Sequence, residues 1–370
     1  MLDESTSDGM KQGLEISGVE AAENSRLALR PEQLHDLAAL KLTLTGESII
    51  DLPRLTFDTR ESADHFLRLN EFDTDNPLDL ARLRKIHQEA VEYLTDLHHL
   101  RLPIELVEPE EIHDIFLAAA HGPARMRRFA CTLLKVMHIV HHLSGRELTF
   151  AMAVSEAQLF DRLSARVFTV IDRMRMTGIE VVEFSGGKKA RDSLITKVLA
   201  KRSLLTSHVF DKLRFSVTLK TPEDLVRTLV YFGRNLWPFN FVVPEQSRNN
   251  VVTVEHVGRA LGLDPRGVWE AWNRGIPMAE PAVVPPINEF SGSSYRSVSF
   301  VVDIPLRIDD LAPSATPAIV FVETEIQLID EKTAAANNQG ENAHAAYKRR
   351  QVARVRARLF GITDSDDVVN

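Results

Sequence analysis

The run Val320-Phe321-Val322-Glu323-Thr324-Glu325-Ile326-Gln327-Leu328 decides the fold. Its residues alternate strictly, which is the two-residue period of a β-strand. Val320, Val322, Thr324, Ile326 and Leu328 fall on one face, which suits packing against helices, while Glu323, Glu325 and Gln327 fall on the other. Two carboxylates at successive same-face positions repel unless a cation or water sits over them. Taken alone, the run also reads as an edge strand with a solvated polar face. Its surroundings ask for more. Asp211 opens an earlier strand, Tyr295 lies on an intervening one, and His344, Tyr347 and Lys348 follow.

Working outward, the period changes from helical to alternating after Gly178. Ile179–Phe184 reads as a strand, Ser185-Gly186-Gly187 as a turn, and Lys188–Leu205 as a basic helix with Lys197 and Lys201 on one face. Asp211–Leu219 is the next strand. Thr221-Pro222-Glu223-Asp224 then starts a helix, with Thr as cap, Pro at the first helical position and an acid at the third. Residues 237–286 read as an insertion holding a Val254–Asn273 helix and a proline-rich arm. Strands resume at Tyr295–Ile308 and Ile319–Leu328, and Ala343–Phe360 reads as a helix striped by Val352, Val355 and Leu359 among arginines. Before Gly178 the pattern is helical, from Leu78 onward, with a break at Pro103–Pro109. The stretch Arg26–Leu67 carries mixed signals, and residues 1–24 have the composition of a disordered tail.

The chain has 370 residues, room for two domains, and a net charge of −8, which argues against a general nucleic-acid coat. No apolar run is long enough for a membrane span, and the polar start shows no secretory signal. Cys131 is the single cysteine, so no internal disulfide forms, which fits a cytoplasmic protein. A homo-oligomer is compatible with all of this.

Lys189, Lys197 and Lys201 can meet triphosphate oxygens, and Asp211 and Glu325 can share a Mg²⁺ ion, which takes a few carboxylates together with phosphate and water oxygens. At this point the residues resemble the nucleotidyltransferase-like synthetase domain of RelA/SpoT-type alarmone synthetases. The pieces that carry the resemblance are Lys-Lys-Ala-Arg-Asp-Ser-Leu-Ile-Thr-Lys (188–197), Asp-Lys-Leu-Arg-Phe-Ser-Val (211–217), Gly-Ser-Ser-Tyr-Arg-Ser-Val-Ser (292–299), Glu-Ile-Gln (325–327) and His-Ala-Ala-Tyr-Lys (344–348). Each is weak alone; together they stand in the family's order.

The resemblance implies an α/β (α+β) mixed sheet flanked by helices, with a helical N-terminal region. It divides the chain into a tail (1–24), a mainly helical region (25–178), a synthetase domain (179–350, interrupted at 237–286) and a C-terminal basic helix and tail (351–370). It implies transfer of the β,γ-pyrophosphate of ATP to the 3′-hydroxyl of GDP or GTP, with Mg²⁺. Asp211 and Glu325 would hold the metal, and Glu325 would activate the acceptor hydroxyl. Lys188, Lys189, Arg191, Lys197, Lys201 and Arg214 would serve ATP. Tyr295, Arg296, Gln327, His344 and Lys348 would serve the acceptor, with Tyr295 stacked on its base. Gly187, Ser216, Ser299 and Ile329 stand where the family carries Arg, Arg, His and Arg. Arg191 and Arg214 are the candidates to replace the first two. Two other readings stay open: a toxin of the same family that pyrophosphorylates the tRNA 3′ end, and a non-catalytic nucleotide-binding regulator.

In the helical half, His138, His141 and His142 share a helix. His87 with His113-Asp114 matches part of the His…His-Asp spacing of metal-dependent phosphohydrolases, but the remaining ligands are not evident, so no hydrolase is expected there.

Overall fold

The computed structural model describes residues 31–52, 55, 57–200, 212–273, 294–311, 317–339, 342 and 344–361; the expected tail at 1–24 lies outside them, as do Lys201 and Asp211. Five strands form one sheet: β1 (Val181–Lys188), β2 (Leu213–Leu219), β3 (Arg248–Asn249), β4 (Val298–Arg307) and β5 (Ile319–Asp330), in the order β1-β2-β5-β4-β3. β2 and β5 run parallel and the remaining pairs antiparallel, so the sheet is mixed. The deciding run is therefore at the centre of the sheet rather than at its edge.

One face of the sheet is closed. Phe215, Val217, Phe300, Val302, Val320, Val322, Ile326 and Leu328 pack on Leu163, Val167 and Ile171 of the Glu156–Arg175 helix and on Leu225, Leu229 and Phe232 of the Pro222–Asn235 helix. Each such side chain, once buried, contributes roughly 1.5–3 kcal/mol. The second of these helices starts as its sequence predicts, with the Thr221 hydroxyl accepting from the Asp224 amide and Pro222 in the first turn.

A second core fills the helical half, built from Phe57, Phe116, Ile115, Leu133 and their neighbours and joined by Phe239 and Ile319. The unassigned stretch contributes helices Pro31–Thr45 and Arg60–Leu69, the latter capped by Thr59 and Ser62 in a reciprocal box. Here the three histidines of the long helix, Ala124–Ala151, do packing work. Burial lowers His138 to about 3, with His142 adding to the shift, and lowers His141 well below its ordinary value. Both rings are neutral at physiological pH, with His141 set among Phe72, Phe241 and Phe321. His87 meets the Leu106 carbonyl and His113 meets Asp64; among the described residues no three His, Cys, Asp or Glu side chains gather to hold a metal.

The two halves are bolted together by charge. Arg307 pairs with the fully buried Asp79 at 2.5 Å, and Arg166 pairs with Glu71 at 2.5 Å. Burial pushes the Glu71 carboxyl up despite Arg166 and Arg307 beside it.

Four local expectations are corrected. Ser185-Gly186-Gly187 is not a turn: β1 runs through it. A Cβ on Gly186 would stand 2.2 Å from the Phe215 ring, so the glycine serves close approach rather than chain reversal. The 254–273 segment is two helices, Val254–Leu261 and Pro265–Asn273, broken by left-handed Gly262. Tyr295 precedes its strand, which starts at Val298. Val352 and Leu359 of the C-terminal helix, His344–Phe360, are exposed, and Ala346 and Gln351 are the buried positions. The basic helix is Arg191–Ala200, and no helix among the described residues is long and apolar enough to cross a membrane.

Candidate active site

The other face of the sheet is roofed at one end and open at the other. The long helix covers the start of β5, where Gly145 lies so close to Phe321 that a Cβ there would come within 2.5 Å of the ring. Arg146 of that helix reaches Glu323 at 2.7 Å and the buried Asp303 at 3.9 Å, and His142 meets Asp303 at 2.7 Å. Beyond Glu323 the roof ends and a cleft of about 740 Å³ begins. A single small-molecule site typically has about 300–1,000 Å³. The cleft is therefore large enough for a nucleotide.

The register of the strands lays out the cleft floor. Ser185, Ser216, Gln327, Ser299 and Arg248 stand side by side across β1, β2, β5, β4 and β3. The next level brings Gly187, Arg214, Glu325 and Val301 into line. Glu325 thus sits opposite Arg214, with Nε to Oε2 at 3.8 Å, and its side chain keeps 21 % exposure. Gly187, Ser216, Gln327 and Val301, small or uncharged residues, stand beside this pair on the floor, while Glu183 and Glu245 also line the cleft.

Three lysines line the cleft. Lys189 follows β1, Lys197 comes from the basic helix, and Lys348 from the C-terminal helix, where its ammonium lies 3.4 Å from the Ser193 hydroxyl. The two helices pack side by side, so one end of the cleft is cationic. Tyr295 lines the cleft farther along. Its hydroxyl accepts from Gln327 Nε2 at 2.6 Å, and Gln327 Oε1 accepts from Ser216 at 3.3 Å. Its backbone is held as well: Asn250 donates to the Tyr295 carbonyl at 2.9 Å, and Asn337 bonds both the amide and the carbonyl of Arg296, at 3.1 and 2.6 Å. The ring is therefore fixed from its hydroxyl and its backbone together.

The structure thus gathers Lys189, Lys197, Arg214, Tyr295, Glu325, Gln327 and Lys348 in one cleft. It does not bring the others there. Lys188 points to the opposite face, 5.6 Å over the Phe160 ring. Arg191 and Arg296 are exposed and do not line the cleft. The His344 side chain, Lys201 and Asp211 lie outside the described residues. Sequence reasoning missed Ser247, Arg248, Asn337 and Asn342, all of which line the cleft. The Asn337-Asn338 pair after β5 was a readable signal. Ser247 and Arg248 gave none, because the two-residue strand that begins at Arg248 joins the site only through pairing with β4.

No family model and no curated protein matches the sequence. Among solved structures the chain is similar to small alarmone synthetase 1 from Bacillus subtilis bound to its product pppGpp. The identity is 15 %, over 54 % of this chain and 86 % of that one, with a TM-score of 0.29. It is likewise similar to small alarmone synthetase 2 from Bacillus subtilis, at 13 % identity over 52 % of this chain and 88 % of that one, with a TM-score of 0.26. A GTP pyrophosphokinase family protein from Streptococcus pneumoniae shows 13 % identity over 58 % of this chain and 92 % of that one, with a TM-score of 0.27. At TM-scores this far below 0.5, no residue's role is transferred from these structures to this chain. They are, by name, of the kind that the five sequence motifs resemble.

Proposed function

We propose that this chain is a pyrophosphotransferase that moves the β,γ-pyrophosphate of ATP to the 3′-hydroxyl of GDP or GTP. The observation that carries this reading is Glu325 and Arg214 in register on the open half of the cleft, between a lysine-lined end and a fixed tyrosine.

In this mechanism Lys189, Lys197 and Lys348 hold the donor triphosphate as point charges. Tyr295 offers its face to the acceptor base, held by Gln327 so that little rotamer freedom is lost on binding. Glu325 accepts the proton of the 3′-hydroxyl. The freed oxygen attacks the β-phosphorus of ATP, the bond from that phosphorus to the α–β bridging oxygen breaks, and AMP departs. Arg214 directs N–H donors at the non-bridging oxygens where charge gathers. The donor set fits Mg²⁺ in part: Glu325 supplies one carboxylate facing the cleft, and such ions are commonly held by one or two carboxylates plus substrate phosphates. Bound there, the ion would neutralise phosphate charge. Asp211, the second expected ligand, is part of the proposal alone.

The test is incubation of the full chain with γ-labelled ATP and separate acceptors: GDP, GTP, ATP or deacylated tRNA. Label on GDP or GTP is the expected result. Label on tRNA alone replaces this reading with an RNA-modifying one. Label on no acceptor overturns transfer and leaves a nucleotide-binding regulator.

A further inference from the structure

β1 ends the sheet on one side, and among the described residues no strand pairs with its outer edge. The register shows which of its backbone groups face that edge. The Lys189 amide donates to the carbonyl of Lys212, directly opposite, at 2.8 Å. In an antiparallel pair, bonded positions alternate with unbonded ones. Gly187, Ser185 and Glu183 therefore turn their N–H and C=O groups toward β2, while Lys188, Gly186 and Phe184 turn theirs outward. Outward groups of this kind take water or another chain as their partner.

Edge strands are commonly blunted by proline, charge or a bulge along their length. In β1 the bulge lies at one end, between Val181 and Glu183, and the middle holds only Phe184-Ser185-Gly186-Gly187. Ser185 and Gly186 are exposed, and a Cβ at Gly187 would meet nothing within 4 Å, so another backbone can come close. Apolar surface lies beside this edge. Phe168 and Val182 are each 47 % exposed, and Phe168 meets Phe184 edge-on, with ring centroids 5.0 Å apart. The charges are placed symmetrically. Glu183 stands three residues before Gly186 and Lys189 three after it, and both line the cleft. A strand marked in this way is complementary to itself when turned end for end about Gly186.

We propose that the outer edge of β1 docks a second copy of this chain, the two β1 strands pairing antiparallel about a twofold axis at Gly186. The interface is then the same patch on both copies, and one sheet runs through the dimer. The outward-turned groups come into register, Gly186 on its own counterpart and Phe184 on the partner subunit's Lys188. On the cleft face, Glu183 meets the partner subunit's Lys189, and Ser185 meets the partner's Gly187, where no side chain stands in the way. Both copies thereby border each cleft at its lysine end. The pairing holds whatever the cleft binds.

Sedimentation velocity of the full chain over a dilution series tests it, in wild type, Glu183→Lys, Lys189→Glu and an equal mixture of the two variants. Wild type should dimerise. Each variant alone sets like charges against each other on both sides of the axis and should weaken the dimer at least about tenfold. The mixture should recover to within about threefold of wild type, because in the mixed dimer every lysine again faces a glutamate. Amide exchange on the same samples reads the edge itself. Phe184, Gly186 and Lys188 should slow as concentration rises, while Ser185 and Gly187, already turned to β2, should not change. A wild type that stays monomeric throughout the series overturns the proposal. So does a dimer indifferent to both substitutions, or one whose slowed amides lie elsewhere. Loss in both variants without recovery in the mixture overturns the twofold register at Gly186.

Discussion

Glu323 and Glu325 lie on the same face of the same strand, and their surroundings make them different groups. Glu323 is under the roof of the long helix, tied to Arg146 at 2.7 Å in a network that includes Asp303 and His142. Glu325 is past the edge of that roof, facing the cleft, with Arg214 at 3.8 Å as its ion partner. One alternating stretch thus supplies an anchor at one end and a reactive group at the other. The pattern of residues does not decide which is which; the point where the helix stops covering the sheet does.

The sharpest break between the two ends is Glu325→Gln. The change keeps the volume, removes the charge and takes away the proton acceptor. With the acceptor found in the labelling assay, turnover should fall by roughly a hundredfold or more, the scale of a positioned acid–base group. Melting should stay close to wild type, since the pair with Arg214 is partly exposed and such pairs contribute about 0–1 kcal/mol. Full activity in this variant would remove Glu325 from the chemistry.

The roof itself is tested next, by Gly145→Ala. The new Cβ would meet the Phe321 ring at 2.5 Å and the Ile319 carbonyl at 2.9 Å. The ring can turn, but the carbonyl belongs to a sheet strand and yields less readily. Overpacking of this kind costs about 1–3 kcal/mol, which a urea melt would read. An unchanged melt would mean that the helix does not rest on β5 as closely as the geometry requires.

Much of this is legible in the amino-acid sequence. The alternation of Val320–Leu328 located the central strand, and Thr221-Pro222 located the start of the helix beneath it. Seven of the expected site residues meet in one cleft; strand alternation places Arg214, Glu325 and Gln327 on its face, and the packing of two helices brings Lys197 and Lys348 to it. The misreadings have separate causes. Gly186 looked like turn punctuation, but its missing side chain makes space for Phe215 across the sheet, and no local window contains that contact. Lys188 looked like a phosphate ligand by its neighbours, yet it pairs with Leu213 and so belongs to the opposite face from Arg214. The stripe of Val352 and Leu359 predicted a buried face, but that helix seats Ala346 and Gln351 inward and leaves the larger residues outside. Arg248 was invisible because register between distant strands is a property of the fold, not of the segment.

The smallest effect expected is that of Glu323→Gln, and it is the control that gives the first comparison its meaning. The amide oxygen can still accept from Arg146, and Arg146 keeps the Asp303 carboxylate at 3.9 Å. The pair being weakened has side chains 41 % and 26 % exposed, so solvent already screens much of its attraction. Losses in stability should stay below about 1 kcal/mol. Glu323 is roofed by the helix and does not line the cleft, so it offers no acceptor to a substrate hydroxyl. Turnover should remain within about threefold of wild type, corresponding to roughly 0.65 kcal/mol in the barrier. Should Glu323→Gln cost as much activity as Glu325→Gln with its melt unchanged, the two carboxylates would be acting together on the substrate, and the boundary drawn by the long helix would not separate anchor from chemistry.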